Sequence, residues 1–154
     1  MVAEFNHFDD IADRLHTAIS RTVRKTAFDV QAAAQAAAPI DTGFLRNSIY
    51  TITIGGQGTK RAGQGISSRR KRVKKSLQDQ MFPEVAPPPD DTIAYVVVGA
   101  TYGAYVEFGT RYMPPQPYFY PAFDQVRGAF EDAIARIEEQ LGGNATTAND
   151  VEDV

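Results

Sequence analysis

The sequence predicts an α+β fold in which a small antiparallel β-sheet packs against a long N-terminal helix and a C-terminal helix. Apolar residues recur at helical spacing near both ends of the chain, and two short segments rich in β-branched residues lie between them. Amphipathic helices need a surface to cover, and an antiparallel sheet needs one face covered. A polar segment between the two strand candidates predicts a long inserted loop. For 154 residues, we expect one domain over residues 1–141 followed by a tail.

The first predicted element is a long helix over residues 8–38. It contains the strongly helix-favouring run AAAQAAA, whose small side chains would let a neighbouring element approach closely. Pro39 cannot continue a regular helix, so the helix is expected to end just before it. Asp41, Thr42 and Gly43 then suit a turn, because Asp bonds nearby N–H groups and Gly accepts positive φ. The apolar face of the helix consists of Phe8, Ile11, Leu15, Ile19, Val23, Ala27, Val30 and Ala34.

Two strands are predicted, over residues 44–54 and 93–99. In the first, tyrosine and isoleucine alternate with threonine in the run YTITI, which is typical of a strand with two different faces. The second is apolar on both faces, so it is expected at the centre of the sheet. Because two strands are too few to be stable alone, a third is expected around residues 103–108 or from a neighbouring subunit.

Residues 55–92 form the predicted inserted loop, which is rich in glycine, proline and charge. Residues 60–75 hold eight of the sixteen basic residues and no acidic one, whereas the rest of the chain has eight basic and nineteen acidic side chains. Three interpretations are open: a solvated loop, non-specific contact with DNA phosphates, or contact with an acidic protein surface such as a neighbouring subunit. The basic residues are Lys60, Arg61, Arg69, Arg70, Lys71, Arg72, Lys74 and Lys75.

The last predicted element is an amphipathic helix that begins near Pro121, a residue tolerated only in the first turn. Gly142 and Gly143 are expected to end it. The polar and acidic residues 142–154 are predicted to be a disordered tail. The apolar residues of the helix are Phe119, Ala122, Phe123, Val126, Phe130, Ile134, Ile137 and Leu141.

The composition argues against several functional classes. The chain has no cysteine, hence no thiolate metal site or cysteine nucleophile, and its two histidines both lie near the start. It contains no GxxxxGK[ST], GxSxG or HExxH motif. We therefore expect no enzymatic activity, no metal and no cofactor. No apolar run reaches the roughly 18–20 residues of a membrane span, and the N-terminus lacks an apolar signal core, so neither a membrane nor secretion is expected.

Two carboxylates leave alternatives open. Asp41 lies in an Asp-Thr-Gly sequence like that of aspartic proteases, and a homodimer would supply the two carboxylates that share a proton. Here the tripeptide follows an alanine-rich helix and precedes Phe44, so a turn is the preferred interpretation. Glu107 has apolar neighbours and is either buried, with Arg46 or Arg111 as its partner, or an ordinary surface side chain.

Two segments together resemble a known family. They are PIDTGFLRNSI at 39–49 and YGAYVEFGTRYMPPQPYFYPAF at 102–123. Placed between a long N-terminal helix and a C-terminal helix, they resemble the tail-completion, or head–tail joining, proteins of long-tailed bacteriophages. Gly103 and the stretch 118–120 depart from the family pattern. The matching positions are Pro39, Asp41, Thr42, Gly43, Leu45, Ser48 and Ile49 in the first segment, and Tyr102, Tyr105, Val106, Glu107, Phe108, Gly109, Thr110, Met113, Gln116, Pro117, Pro121 and Ala122 in the second.

The resemblance implies a non-catalytic structural protein of the virion neck, assembled in the host cytoplasm. Members of this family form homo-oligomeric rings between the head connector and the tail tube, and DNA passes through the centre. The implied partners are other copies of the chain in a ring expected to be six-fold, the head-completion or connector protein, the tail tube or terminator protein and, non-specifically, genomic DNA. A free DNA-binding protein that acts through the basic residues is the alternative.

The aromatic and proline-rich segment 102–123 is expected to supply the contact surface between subunits. Aromatic and methionine side chains are favoured at interface cores, and prolines lower the cost of ordering such a surface. Head-to-tail packing closes a ring only if every subunit uses the same two complementary surfaces. The expected interface residues are Tyr102, Tyr105, Glu107, Phe108, Met113, Pro117, Tyr118 and Phe119.

Overall fold

The computed structural model describes residues 7–40, 43–58 and 85–146, and it confirms the α+β fold class. The long N-terminal helix packs against both the small antiparallel sheet and the C-terminal helix, and both helices are amphipathic as the two patterns of apolar residues predict. In chain order the elements are α1 (His7–Ala37), α2 (Phe44–Asn47), β1 (Ile49–Thr53), β2 (Gly56–Gly58), β3 (Tyr95–Val98), α3 (Gly103–Phe108) and α4 (Phe119–Thr146).

The core forms where α1 packs against both α4 and the sheet. Alanines make up much of this contact, which brings the helices close together, as the small side chains of the AAAQAAA run predict. Helix α1 ends at Ala37, two residues before Pro39, as predicted. The buried cluster comprises Ala34, Ala38, Leu45, Ile49, Ala100, Tyr118 and Ala122.

The sheet has the strand order β2-β1-β3, and both pairings are antiparallel. The central strand is therefore β1, whose residues 49–52 are buried on both faces. The expectation that the second apolar strand lies at the centre was wrong, because among the described strands β3 pairs with β1 alone and its residues are half-buried or exposed. The apolar character of β3 reflects packing of Val96 and Val98 against the core on one face.

Residues 44–47, predicted as the start of a strand, form the short helix α2 instead. Gly43 precedes it with φ 76°, a left-handed conformation that glycine adopts without strain. The backbone N–H of Ser48 then bonds back to the carbonyl oxygens of Phe44 and Leu45. The turn chemistry therefore initiates a helical turn before the strand, which begins only at Ile49.

The third strand is β2, which lies at the start of the segment predicted as a loop and pairs with residues 51–53. Residues 103–108, where a third strand was expected, form helix α3. The β2 strand has the sequence Gly-Gln-Gly, which carries none of the β-branched residues that mark a strand. That composition explains why the sequence pattern did not reveal it.

Two side chains on α1 hold the sheet through hydrogen bonds to β1. Gln35 Nε2 donates to the carbonyl oxygen of Ile49 at 2.8 Å, and Thr51 Oγ1 donates to Gln31 Oε1 at 2.7 Å. Gln31 and Thr51 are buried, and Thr51 Oγ1 also lies 3.3 Å from the carbonyl oxygen of Ala27, so these polar groups are satisfied away from water. These bonds fix the register between α1 and the central strand.

Helix α4 runs past Gly142 and Gly143 and continues to Thr146, so the predicted end of this helix was wrong. The first five residues of the predicted tail are therefore helical, while residues 147–154 lie outside the described part. None of the helices in the described ranges is both long and apolar enough to cross a membrane.

Candidate interaction surface

Glu107 is the buried centre of the segment that resembles the phage family. It lies in the last turn of α3, and its carboxylate points at the first turn of α4. Its Oε2 accepts the N–H groups of Tyr118 and Phe119 at 2.8 and 2.9 Å, and its Oε1 accepts that of Tyr120 at 3.0 Å. The next residue, Pro121, has no N–H to satisfy. One side chain thus caps the beginning of α4, where backbone donors lack intrahelical partners.

The charge of Glu107 is stabilised by the helix that it caps. Burial raises the pKa of this carboxyl, but the three backbone N–H groups of residues 118–120 outweigh that effect, and the net pKa is lowered. The positive end of the helix dipole favours the same ionised form. Glu107 is therefore an anion at neutral pH despite its burial.

Glu107 is buried, as the first of the two expectations has it, but its hydrogen-bond partners are not the expected arginines. It is not an ordinary surface side chain, and within the described structure its hydrogen bonds go to backbone N–H groups rather than to Arg46 or Arg111. The guanidinium of Arg111 instead lies 4.8 Å from the ring centroid of Tyr112, in a cation–π contact. Arg46 is exposed on α2.

Tyr118 is the second buried anchor of the segment. Its hydroxyl donates to the carbonyl oxygen of Gly103 at 3.3 Å. Burial, followed by the nearby charge of Glu107 and by Tyr102, raises the pKa of Tyr118 to about 12, so the hydroxyl remains a donor. A Cβ on Gly103 would lie 2.7 Å from Val98 Cγ1 and 2.9 Å from the Tyr118 hydroxyl oxygen. Gly103, a departure from the family pattern, is thus the residue that allows α3 to approach β3 and Tyr118.

The chain turns sharply after α3 at Gly109. This residue has φ 74° and ψ 179°, a backbone conformation that is essentially restricted to glycine. The N–H of Thr110 bonds to the carbonyl oxygen of Met113, and the N–H of Gln116 returns to the carbonyl oxygen of Val106. The turn is therefore tied back to α3, and it presents Tyr112 outward.

Four aromatic side chains project from this anchored segment, and we call them the aromatic ridge. Two lie one turn apart on α3, one on the turn after Gly109, and one at the start of α4. The rings of Phe108 and Tyr120 touch, with their centroids 5.8 Å apart. Such a concentration of exposed aromatic surface is typical of a protein interaction site. The exposed fractions are 62% for Tyr105, 66% for Phe108, 84% for Tyr112 and 58% for Tyr120.

The eight residues expected at the interface separate into outer and inner groups. Tyr102, Tyr105, Phe108 and Pro117 are exposed, and Met113 and Phe119 are half-buried. Glu107 and Tyr118 lie beneath the surface, where they hold the ridge in place. Sequence reasoning missed Tyr112 and Tyr120 as exposed members. Their aromatic character was visible, but the turn conformation that exposes them was not.

The other predicted site residues are only partly described. Gly43 adopts the expected turn conformation, whereas Asp41 and Thr42 lie outside the described residues. The eight basic residues between Lys60 and Lys75 also lie outside them. Within the described ranges, no cluster of three or more His, Cys, Asp or Glu side chains could hold a metal ion.

The chain is similar to one family of phage proteins. The family model described as "Bacteriophage HK97-gp10, putative tail-component" matches residues 6–109, which is more than half of the chain. The matched range contains α1, the sheet and α3, and it ends at the glycine that begins the turn below the ridge. No curated protein and no solved structure matches the chain.

Proposed function

Because the chain belongs to the HK97-gp10-like family of bacteriophage tail components, we propose that it is a structural subunit of the phage neck that joins the head connector to the tail tube. The family gives the broader role, a structural component of the phage tail, and agrees with the resemblance seen in the two sequence segments. The proposal adds the place in the particle and a ring-shaped assembly around the DNA channel.

The observation that carries this proposal is the aromatic ridge on a buried, hydrogen-bonded base. A neck subunit needs an exposed apolar surface that is already ordered before its partner binds, because ordering costs would otherwise reduce the affinity. Glu107 and Tyr118 fix the base of the ridge through hydrogen bonds to the backbone. Tyrosine and phenylalanine are enriched in the cores of protein interfaces, and tyrosine is also enriched among interface hot spots.

The proposed assembly is a homo-oligomeric ring, six-fold in our reading, in which the subunits meet head to tail. A closed ring of this kind uses the same two complementary surfaces on every copy. The proposed outer partners are the head-completion or connector protein on one side and the tail tube or terminator protein on the other. The mature location would be the virion, after assembly in the host cytoplasm.

The basic residues between Lys60 and Lys75 are proposed to contact either DNA in the channel or the acidic surface of a neighbouring subunit. Both contacts would follow from charge alone, with no reading of base sequence. The described part of α4 presents exposed acidic side chains that suit the second possibility, namely Asp124, Glu131, Asp132, Glu138 and Glu139.

The proposed role is non-catalytic, and Asp41 is interpreted as a turn residue. Gly43 starts helix α2, so the Asp-Thr-Gly sequence leads into a helical turn. In an aspartic protease the same tripeptide would have to present its carboxylate to a second one across a dimer axis. A structural family of tail components also favours a protein without catalysis.

The proposal can be tested by complementation of a parent phage that lacks this gene. Wild-type protein should restore infectious particles, whereas the double variant Tyr105→Ser with Phe108→Ser should leave DNA-filled heads and complete tails unjoined in electron micrographs. Ile40→Ser, which alters an exposed apolar residue outside the ridge, is the matched control and should complement fully. Normal joined particles from the double variant, or a block at head formation, would contradict the proposed function.

A further inference from the structure

A second apolar surface lies between the two long helices, α1 and α4, and the edge strand β3. It is a groove of about 440 Å³, within the range of roughly 300–1,000 Å³ that is typical of binding pockets. Ala27 and Val30 of α1 form buried parts of its wall, while Ile93 and Phe123 are exposed at its margins. The groove is therefore large and apolar enough for an apolar side chain, and its lining residues differ from those of the aromatic ridge.

The charges beside the groove and beside the ridge have opposite signs. Asp90 and Asp91 immediately precede Thr92, which lines the groove. Asp90 Oδ1 accepts the backbone N–H of Thr92 at 2.8 Å, and Asp91 Oδ1 is paired with His16 Nε2 at 3.0 Å, so each carboxylate has one local partner and a second oxygen that can meet a further cation. On the ridge side, Glu107 is buried, so Arg111 is the exposed charged residue within residues 102–113. Arg127, which also lines the groove, is already paired with Glu131 at 2.8 Å.

We propose that the aromatic ridge of one copy docks into this groove of the next copy, with Arg111 approaching Asp90 and Asp91. The inference rests on the proposed function, since it names the two surfaces that close the ring. A head-to-tail contact requires a protruding and a receiving surface that differ from each other. The ridge protrudes, the groove is concave, and their charges are complementary.

Two variants, each with one of these surfaces disabled, test the contact directly. Tyr112→Glu places a carboxylate at the most exposed position of the ridge and leaves the groove intact. Ile93→Glu places a carboxylate in the groove and leaves the ridge intact. Each variant alone should be monomeric by native mass spectrometry under conditions where the wild-type protein assembles. An equimolar mixture should form heterodimers, because the intact ridge of Ile93→Glu can still dock into the intact groove of Tyr112→Glu. No larger assembly should form, because each heterodimer has only disabled surfaces left.

The controls separate a lost contact from a lost fold. Circular dichroism and thermal melting should show that each variant is folded, and Phe123→Glu is the second groove variant should Ile93→Glu fail to fold. Ile54→Glu, at an exposed apolar position outside both surfaces, should assemble like the wild type. Assembly of either folded single variant, or a mixture that stays monomeric, would overturn the inference.

The outcome also distinguishes the inference from the proposed function. If the wild-type protein assembles into closed rings but the mixture forms no heterodimer, the function stands and the groove receives another occupant, such as a different neck protein. If ridge variants that cannot assemble still complement the phage, the ring role itself is wrong. A heterodimer, together with loss of complementation by both single variants, supports the ridge–groove contact and the proposed neck function.

Discussion

Tyr118 and Tyr112 lie a few residues apart in one aromatic segment, yet 1% of Tyr118 is exposed and 84% of Tyr112. The first belongs to an inner layer, with Glu107 and Gly103, that fastens α3 to α4. The second belongs to the aromatic ridge on the outside. Residues of the same type in the same segment therefore have different roles, because the buried layer holds the backbone from which the exposed side chains of the ridge project. Changes in the two layers should affect different measurements.

The largest effect is expected when Tyr118 is truncated. Tyr118→Ala would leave a cavity in the core and remove the hydrogen bond to Gly103, and replacing a buried aromatic residue by alanine typically costs about 3–5 kcal/mol. The free energy of unfolding, measured by urea denaturation, should fall by that amount. Assembly should weaken as well, because the layer beneath the ridge is disrupted.

Tyr112→Ala is the control in the outer layer. Because Tyr112 is almost fully exposed, we expect a change within about 0.5 kcal/mol in the free energy of unfolding. Assembly should nevertheless weaken. If Tyr118→Ala were as stable as Tyr112→Ala, the division into an inner and an outer layer would be incorrect.

The next largest effect is expected at the turn that exposes Tyr112. Gly109→Ala would force alanine into a glycine-only conformation, which costs about 1–3 kcal/mol. Its Cβ would also lie 2.7 Å from the backbone nitrogen of Pro115 and 2.8 Å from the carbonyl oxygen of Met113, and this clash adds to the loss. Urea denaturation measures the change in the free energy of unfolding.

Gly128 provides a matched control for this substitution. It lies in the interior of α4, and an added Cβ would meet no atom within 4 Å. Gly128→Ala should therefore stabilise the protein by about 0.5–1 kcal/mol, since alanine has the higher helix propensity. Equal effects of the two glycine substitutions would show that the turn at Gly109 does not have the described conformation.

A loss of similar size is expected for Glu107→Gln, which keeps the shape but removes the charge. Hydrogen bonds to charged groups contribute about 1.5–3 kcal/mol, and the amide would also direct N–H groups at the donors of residues 118–120. The exposed Glu138→Gln on α4 serves as the control and should change little. Urea denaturation of the three proteins at neutral pH gives the comparison.

The pH dependence of the free energy of unfolding, compared between the wild type and Glu107→Gln, supplies an independent check. Because folding lowers the pKa of Glu107, its contribution to stability is fully present above the pKa of the carboxyl in the unfolded chain, about 4.5, and is lost as the pH falls through the lower folded value. The difference between wild type and Glu107→Gln should therefore be constant near neutral pH and narrow in acid. A difference that widens in acid would contradict the capping role.

The partners of Glu107 show where sequence reasoning reaches its limit. The helical periods of α1 and α4 could be read because many side chains repeat the same signal, and the family resemblance directed attention to residues 102–123. The donors that Glu107 binds are backbone N–H groups, which every residue but proline carries, so the sequence suggested arginines instead. The N-terminus of α4 has no capping side chain of its own, because its cap comes from α3.

Strands β1 and β3 lie within the predicted ranges 44–54 and 93–99, but the third strand was misplaced for a related reason. The glycine-rich β2 carries no residue that favours a strand, and only its hydrogen bonds to β1 define it. The short helix α2 likewise follows from the left-handed Gly43 rather than from a helical pattern of apolar residues. Where an element is defined by backbone geometry rather than by side chains, the sequence carries only a weak signal. The groove could not be predicted, because it is formed by residues of α1, β3 and α4 that are far apart in the sequence.

The smallest expected effect concerns the charges that accompany the ridge and groove. Arg111→Glu should weaken assembly about two- to five-fold, because exposed charge pairs contribute little, and should leave the free energy of unfolding unchanged. Adding Asp90→Arg in the same chain would restore opposite signs across the junction and should recover part of the loss. Arg136 is exposed on α4 outside the groove, so Arg136→Glu makes the same change in net charge and serves as the control. The rescue should fade at high salt, because exposed charges are screened; a rescue independent of salt would mean that Arg111 and Asp90 do not meet.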